Sequence, residues 1–375
     1  MRVLIAAAGT GGHIYPGIAV ANEILRREPK SQVRFVGTAR GLENKLVPQA
    51  GFELSIIDSA GLKNVGPVAR ARGVLVLPKS FLAARTLMKS FRPDVVIGAG
   101  GYVSGPVVLT ASLQKLPTLV MESNALPGWT NRVLARFVDK AAVSFEAALP
   151  YFRGKAVVTG NPVRREFFEI PARQRESGKF SILVFGGSQG AHAINEAMIA
   201  ALAGLESLKD VLRITHQTGE ADFARVSSGY IDAGWAKRTS VTKYIDNMVT
   251  AFADADLVVS RAGATTTAEL IAAGKASVMV PFPFAADDHQ RRNAEALARA
   301  GAGRMILQQD LSGERLAQEI AMLVREPERV NAMEQAARKL ARGDAAGAVV
   351  DMIEELVGSR QKAEGRRQKA EGRKQ

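Results

Sequence analysis

Short apolar runs recur along the chain, separated by stretches with helical periodicity. In the first half the runs fall at 2–8, 33–38, 53–58, 94–99, 118–122, 140–145 and 156–159. In the second they fall at 180–185, 212–217, 239–244, 257–260, 277–281 and 304–307. Each is a few residues long and nearly continuous in apolar side chains, the pattern of a strand buried on both faces of a parallel sheet. The helical stretches are predicted to begin near Pro16, Gly41, Pro78, Gly105, Trp129 and Glu146, then near Gly190, Glu220, Asn247, Thr265, Asp288 and Gly313. Strands alternating with helices imply right-handed crossovers and parallel sheets. The predicted fold class is therefore α/β, with two Rossmann-like domains whose parallel sheets face a cleft.

The segment Gly160-Asn161-Pro162-Val163-Arg164 and the polar run 171–179 mark the boundary between the domains. The first domain is predicted over 1–160 and the second over 161–340. The periodic stretch 327–357 reads as helix, with 341–357 packing back toward the first domain. The remainder, 358–375, contains RQKAEGR twice in tandem, at 360–366 and 367–373. So polar a repeat buries no core, and it is expected to be a disordered basic tail.

Glycines follow the first strand of each half. Phe180 to Phe185 runs into Gly186-Gly187-Ser188-Gln189-Gly190, and Arg2 to Ala8 runs into Gly9-Thr10-Gly11-Gly12-His13. Strand, glycine loop and helix together build an anion site, because backbone can approach a ligand and free N–H groups at the helix start point at phosphate. A tight structural turn without a ligand is the alternative. The stretch SRAGATTTAE, 260–269, follows another predicted strand, so it lies at the C-terminal edge of its sheet, where ligands of open α/β sheets bind. Glu269 falls one turn into the helix, where a carboxylate can accept hydrogen bonds from a ribose, or merely complement the helix dipole. His13 has the side-chain type of a general base near neutrality, or of a polar residue at a helix start.

Composition narrows the classes. The 375 residues accommodate two α/β domains, and an apolar content of 47% is that of a globular protein. With no cysteine there is neither a disulfide framework nor a thiolate metal site. The four histidines show no metal-ligand spacing, so no metal is expected. A start directly on a strand and the lack of a long apolar run suggest a cytoplasmic protein. The net charge of +13 is uneven, with +11 in 1–160, −3 in 161–359 and +5 in 360–375. In the basic half Leu75, Leu77, Phe81, Leu82 and Leu87 are interleaved with Arg70, Arg72, Lys79, Arg85 and Lys89. That mixture suits an anionic membrane surface, or an ordinary amphipathic helix packed on the sheet. Nucleic acid is disfavoured, since aromatics are only 6% and no stacking motif accompanies the charge. A nicotinamide enzyme is disfavoured too, because the third fingerprint glycine is replaced by Ile14 and the second strand ends without a carboxylate.

Taken together, GTGGH at 9–13 with Pro16, GAGGYVSGP at 98–106, GGSQGA at 186–191, ESN at 122–124, GNPVR at 160–164, AGATTTAE at 262–269 and HQ at 289–290 resemble the MurG family over residues 1–357. These are the N-acetylglucosaminyltransferases of the peptidoglycan lipid cycle. The resemblance implies a GT-B-type fold and transfer of GlcNAc, with inversion, from UDP-GlcNAc to the C4 hydroxyl of MurNAc in undecaprenyl-pyrophosphoryl-MurNAc-pentapeptide. UDP-GlcNAc is then a substrate, and no cofactor or bound metal is expected. The expected place is the cytoplasmic face of the bacterial inner membrane, peripherally attached, with cell-wall synthesis proteins as possible partners. Carried over position by position, Ser188 and the backbone of Ala264, Thr265 and Thr266 hold the diphosphate, with Thr267 and Ala268 in the same donor stretch. Glu269 binds the ribose, the Ile245 backbone reads the uracil, and Arg164 stabilises the departing UDP. Asn124, Gln290, Thr10, Gly11 and Gly12 line the sugar and the cleft. Thr265 and His289 depart from residues found in some relatives, apolar and Gln respectively.

On mechanism, such a transferase must neutralise its leaving diphosphate with helix N-termini and Arg164. A base must take the acceptor proton, and His13 is the first choice with Glu122 in reserve. A UDP-sugar epimerase, or another UDP-sugar transferase of the same architecture, is the alternative. Release of UDP only in the presence of a lipid-linked acceptor separates it from the main reading.

Overall fold

The structure is a computed structural model that describes residues 1–39, 41–59, 67–175, 178–187 and 189–371, without the side chains of 67–75, 286 and 364–371. The chain forms two compact units, Met1–Val163 with Asp344–Gln375, and Arg164–Gly343.

The first unit carries strands β1 (Arg2–Ala7), β2 (Gln32–Gly37), β3 (Glu53–Ile56), β4 (Val95–Gly100), β5 (Thr118–Glu122), β6 (Lys140–Val143) and β7 (Ala156–Val158). Its helices are α1 (Gly11–Arg27), α2 (Glu43–Gln49), α3 (Pro67–Phe91), α4 (Ser104–Leu113) and α5 (Trp129–Leu134). Among the described residues the strand order is β3-β2-β1-β4-β5-β6-β7. Every pairing is parallel, from Val3 against Val33 and Val95 to Ala142 against Val157. The sheet is doubly wound, so the chain reverses direction of travel between β1 and β4, and the loops after those strands flank the place where such sheets bind ligands. One apolar cluster lies on each face. Leu4, Val36, Val96, Val120 and Val143 point to one, and Val3, Ile5, Phe35, Ile97 and Leu119 to the other. That two-sided burial explains why the strands read as unbroken apolar runs.

The second unit repeats the plan. Its strands are β8 (Phe180–Phe185), β9 (Leu212–Gln217), β10 (Thr239–Thr242), β11 (Leu257–Ser260), β12 (Ser277–Met279) and β13 (Arg304–Met305). Its helices are α6 (His192–Ala201), α7 (Phe223–Asp232), α8 (Met248–Asp254), α9 (Ala264–Ala273), α10 (His289–Arg299), α11 (Gly313–Arg325) and α12 (Pro327–Leu340). The order β10-β9-β8-β11-β12-β13, again parallel throughout, puts its switch point between β8 and β11. A last helix, α13 (Ala345–Glu371), returns to the first unit, where Val349, Val350, Met352 and Ile353 join the core face of α1. Arg27 on α1 fixes it by donating to Asp351 Oδ1 at 2.5 Å and to the Gly347 carbonyl at 3.2 Å.

Three expectations need correcting. Helices α1 and α3 begin well before the prolines expected to open them, so Pro16 and Pro78 lie inside. The stretch 327–357 is two helices, parted at 341–344, where Asp344 accepts the Gly347 N–H at 3.0 Å and starts a new one. The tail backbone is helical to Glu371. Gln, Lys, Ala, Glu and Arg are good helix formers, and extending an existing helix needs no new nucleus and no core.

Candidate functional site

In the second unit the ends of β8, β9 and β11 meet. The glycine loop after β8 is folded onto the end of β9. Gly190, at φ +79°, comes so close to the Thr218 carbonyl that a Cβ there would sit 1.8 Å from its oxygen. Ser188 of this loop lies outside the described residues. Gln217, buried at the last position of β9, donates through Nε2 to the Gly187 carbonyl at 2.7 Å and accepts the Ile245 N–H at 3.4 Å. One side chain therefore ties both the glycine loop and the Ile245 backbone, the group expected to read uracil. Beneath it, His216 contacts Asn195 Oδ1 and the Tyr230 hydroxyl, each at 3.0 Å, and burial lowers its imidazole to about 3. It is a neutral strut.

After β11, Gly263 caps α9, and the backbone of Ala264, Thr265 and Thr266 forms its first turn. Thr267 is buried with its hydroxyl turned back to the Gly263 and Ala264 carbonyls at 3.1 Å. Its side chain serves the helix. The Thr265 hydroxyl is buried without a hydrogen-bond partner among the described residues. Ala262, just ahead, is held from both sides, since its N–H donates to Gln290 Oε1 at 3.3 Å and its carbonyl accepts from Asn293 Nδ2 at 3.2 Å. Gln290 Oε1 also takes the Phe282 N–H at 3.0 Å, so one side-chain oxygen ties Ala262 to the start of the 282–288 turn.

Glu269 stands one turn into α9, half-buried. Burial raises its carboxyl from 4.5 to about 7, against the pull of the nearby Arg164 guanidinium. Arg164 lies over the Phe167 ring at 5.0 Å, and Phe167 meets Phe252 edge-on at 5.2 Å. A cation held on an aromatic platform and a carboxyl within its field thus share one unit at the C-terminal edge of one sheet.

In the first unit, Gly9, at φ +95°, turns the chain out of β1, and Thr10 caps α1. The His13 imidazole stands against Gly100, at φ +123° the last residue of β4, where an added Cβ would lie 2.1 Å from Nδ1. The second glycine loop is thus the seat of His13. Ser104 stitches it to β1, accepting the Gly100 N–H at 3.1 Å and reaching the Ala6 carbonyl at 2.9 Å. Glu122 ends β5, nearly fully buried. Its Oε1 accepts from Asn124 N at 2.9 Å and Nδ2 at 3.1 Å, and its Oε2 from Gly128 N at 2.9 Å and Asn131 Nδ2 at 3.0 Å. Burial pushes its carboxyl up despite these donors. Both oxygens are engaged in holding the 123–131 turn, which orients Asn124. The reserve role of Glu122 as a base loses its physical basis, because no lone pair is turned toward an acceptor.

The residues that the resemblance carries over thus divide between the two units, with Thr10, Gly11, Gly12, His13, Glu122 and Asn124 in the first and the others in the second. Gln217, Asn131 and Glu43 tie these loops down and are not among the residues expected from the sequence. Gln217 had a readable signal, a polar pair ending an apolar strand. The other two act through contacts distant in sequence.

Two parallel α/β units, each with a glycine loop at its switch point, have the architecture of doubly wound nucleotide-binding folds. Residues 3–143 match the glycosyltransferase family 28 N-terminal domain and 181–349 its C-terminal domain. The UDP-N-acetylglucosamine--N-acetylmuramyl-(pentapeptide) pyrophosphoryl-undecaprenol N-acetylglucosamine transferase of Geobacter sulfurreducens is 47% identical, covering 97% of this chain and 100% of the relative. The crystal structure of Acinetobacter baumannii MurG is similar at TM-score 0.78 and 33% identity, covering 94% of this chain and 99% of that one. The chain belongs to the MurG family. At 14% identity and TM-score 0.68, a UDP-GlcNAc 2-epimerase of Neisseria meningitidis, covering 95% of this chain and 100% of that one, shares the fold alone.

Proposed function

We propose that this protein transfers GlcNAc from UDP-GlcNAc to the C4 hydroxyl of MurNAc in undecaprenyl-pyrophosphoryl-MurNAc-pentapeptide, with inversion. The observation that carries the reading is the pairing of Glu269 and Arg164 at the ligand edge of the second sheet, in a chain related over nearly its full length to enzymes of that name. Glu269 accepts the ribose hydroxyls, and the Ile245 backbone meets the uracil. The first-turn N–H groups of α9 and the 186–190 loop hold the diphosphate. His13 takes the proton from the C4 hydroxyl as its oxygen bonds to C1 of GlcNAc. The bond from C1 to the phosphate oxygen breaks, and its electron pair leaves with UDP. Arg164 and the helix terminus receive that charge, the kind of preorganised stabilisation worth most in such reactions. No resident metal is part of this proposal.

The acceptor is lipid-linked, and we assign the membrane contact to the first unit. Leu82 on α3 and Leu113 on α4 are 66% and 71% exposed. The two helices pack together, tied by Gln114 Nε2 to Met88 Sδ at 3.4 Å, and Ser112 bonds the carbonyl of the exposed Phe137 at 2.8 Å. Lys79, Arg85 and Lys89 are exposed along α3, and Lys115 just beyond the end of α4. Apolar side chains among cations suit anionic headgroups. Leu77, Phe81 and Leu87 are partly buried, so they pack more than they protrude. The side chains of Arg70, Arg72 and Leu75 lie outside the described residues. The test is a vesicle assay, in which the protein binds anionic liposomes at low salt and is released by high salt.

A further inference from the structure

We propose that Glu43 is a positioning residue for the catalytic loop Gly9–His13, acting through the Gly9 N–H. Glu43 opens α2, thirty residues beyond the loop in sequence, yet its side chain is fully buried. Its Oε2 accepts the Gly9 N–H at 2.9 Å, and its Oε1 accepts both the Thr38 N–H and the Thr38 hydroxyl at 2.8 Å. The Leu42 N–H answers by donating to the Gly9 carbonyl at 3.3 Å. Gly9 is thus gripped on both sides of its peptide, at the residue whose positive φ aims Thr10 and the first turn of α1, where His13 sits.

The surroundings are cut to fit this carboxylate. A Cβ on Gly37 would lie 2.5 Å from Glu43 Cγ, and one on Gly41 1.8 Å from Oε2. Both glycines leave room for the side chain to pass between the strand end and the turn. A buried carboxylate that accepts three donors has no cheaper replacement, since any neutral substitute leaves an N–H unpaired or facing another donor. Glutamine shows the difficulty. It has one acceptor and one NH2 group, so either Gly9 or Thr38 must face a donor. The loop then moves, and small displacements of a reacting group cost rate steeply, up to about 10²-fold per ångström.

The proposal rests on His13 acting in the chemical step, so its test includes a readout that needs no turnover. In Glu43→Gln we expect kcat to fall at least tenfold, while the UDP Kd, set by the other unit, stays within twofold. Asn44→Ala is the comparison, because Asn44 Nδ2 braces the same turn through the Thr38 and Gly41 carbonyls at 2.8 and 3.0 Å without touching Gly9. It should keep kcat within threefold. The long-range proton–nitrogen NMR signals of the His13 ring, assigned by His13→Gln among the four histidines, should shift in Glu43→Gln and stay in place in Asn44→Ala. His13 signals unmoved by Glu43→Gln, or equal losses of kcat in the two variants, overturn the proposal. A parent enzyme that transfers no GlcNAc would instead refute the functional reading, and the NMR comparison would still decide the role of Glu43.

Discussion

Replacing Glu269 with glutamine should make the protein more stable and bind UDP less well, both only at high pH. Its carboxyl is raised from 4.5 to about 7, chiefly by burial. The folded chain therefore holds this proton more tightly than the unfolded chain does. The stability it contributes is full below about 4.5 and is lost as pH rises through about 7, a loss of about 3 kcal/mol for a shift of about 2.5 units. Glutamine does not titrate, so the variant should gain about that much on the parent between pH 5 and pH 8, visible as a higher Tm at pH 8. UDP reverses the preference. Ribose hydroxyls donate to the ionised carboxylate, each such bond being worth about 1.5–3 kcal/mol. The parent should thus bind UDP about 30-fold more weakly at pH 5.5 than at pH 8 through this group alone, one and a half units below its midpoint. The variant should be at least tenfold weaker than the parent at pH 8 and equal to it at pH 5.5. Calorimetric titration of both proteins with UDP across that range cancels the titration of UDP itself. Equal affinity of parent and variant for UDP at pH 8 would refute the assignment of Glu269 to the ribose.

Other consequences can be checked separately. His13→Ala should lower kcat by about 10²-fold or more, as expected for a positioned base, and leave UDP affinity within a factor of a few; normal kcat with poor acceptor binding in steady-state kinetics would make His13 a binding residue. Gln217→Ala should raise the UDP Kd about tenfold, since it frees the Gly187 carbonyl and the Ile245 N–H from a buried partner, while kcat at saturating donor stays within threefold; an unchanged Kd by titration would break the link. Replacing Lys79, Arg85 and Lys89 with Gln should weaken binding to anionic vesicles by about 1 kcal/mol per cation at low salt without altering UDP binding; equal sedimentation of mutant and parent with the vesicles would remove this face from the membrane.

The strands were legible because each is buried on both faces, and a continuous run such as Phe180–Phe185 has no other stable place in an α/β fold. Helix starts were less legible. Proline is an attractive opening signal, yet in α1 the turn is set by Gly9 and Thr10, and Pro16 is simply carried inside. The glycine loops could be read as ligand sites, but not which of them seats a side chain. Gly100 makes room for His13, a contact between residues far apart in sequence. The same holds for Glu122, which looked like a spare base at a strand end and is enclosed by donors from 124, 128 and 131. The helical backbone of the polar tail is not legible from its composition, because lacking a core excludes tertiary packing and does not exclude the extension of a helix already begun.

The most direct test of the functional account is turnover with UDP-GlcNAc and a short-chain lipid-linked MurNAc-pentapeptide, following UDP release and the disaccharide product together. The account predicts one UDP released per disaccharide formed, an inverted β-linkage to the C4 oxygen, and negligible UDP release without acceptor. UDP release or sugar epimerisation at an undiminished rate without acceptor would contradict it.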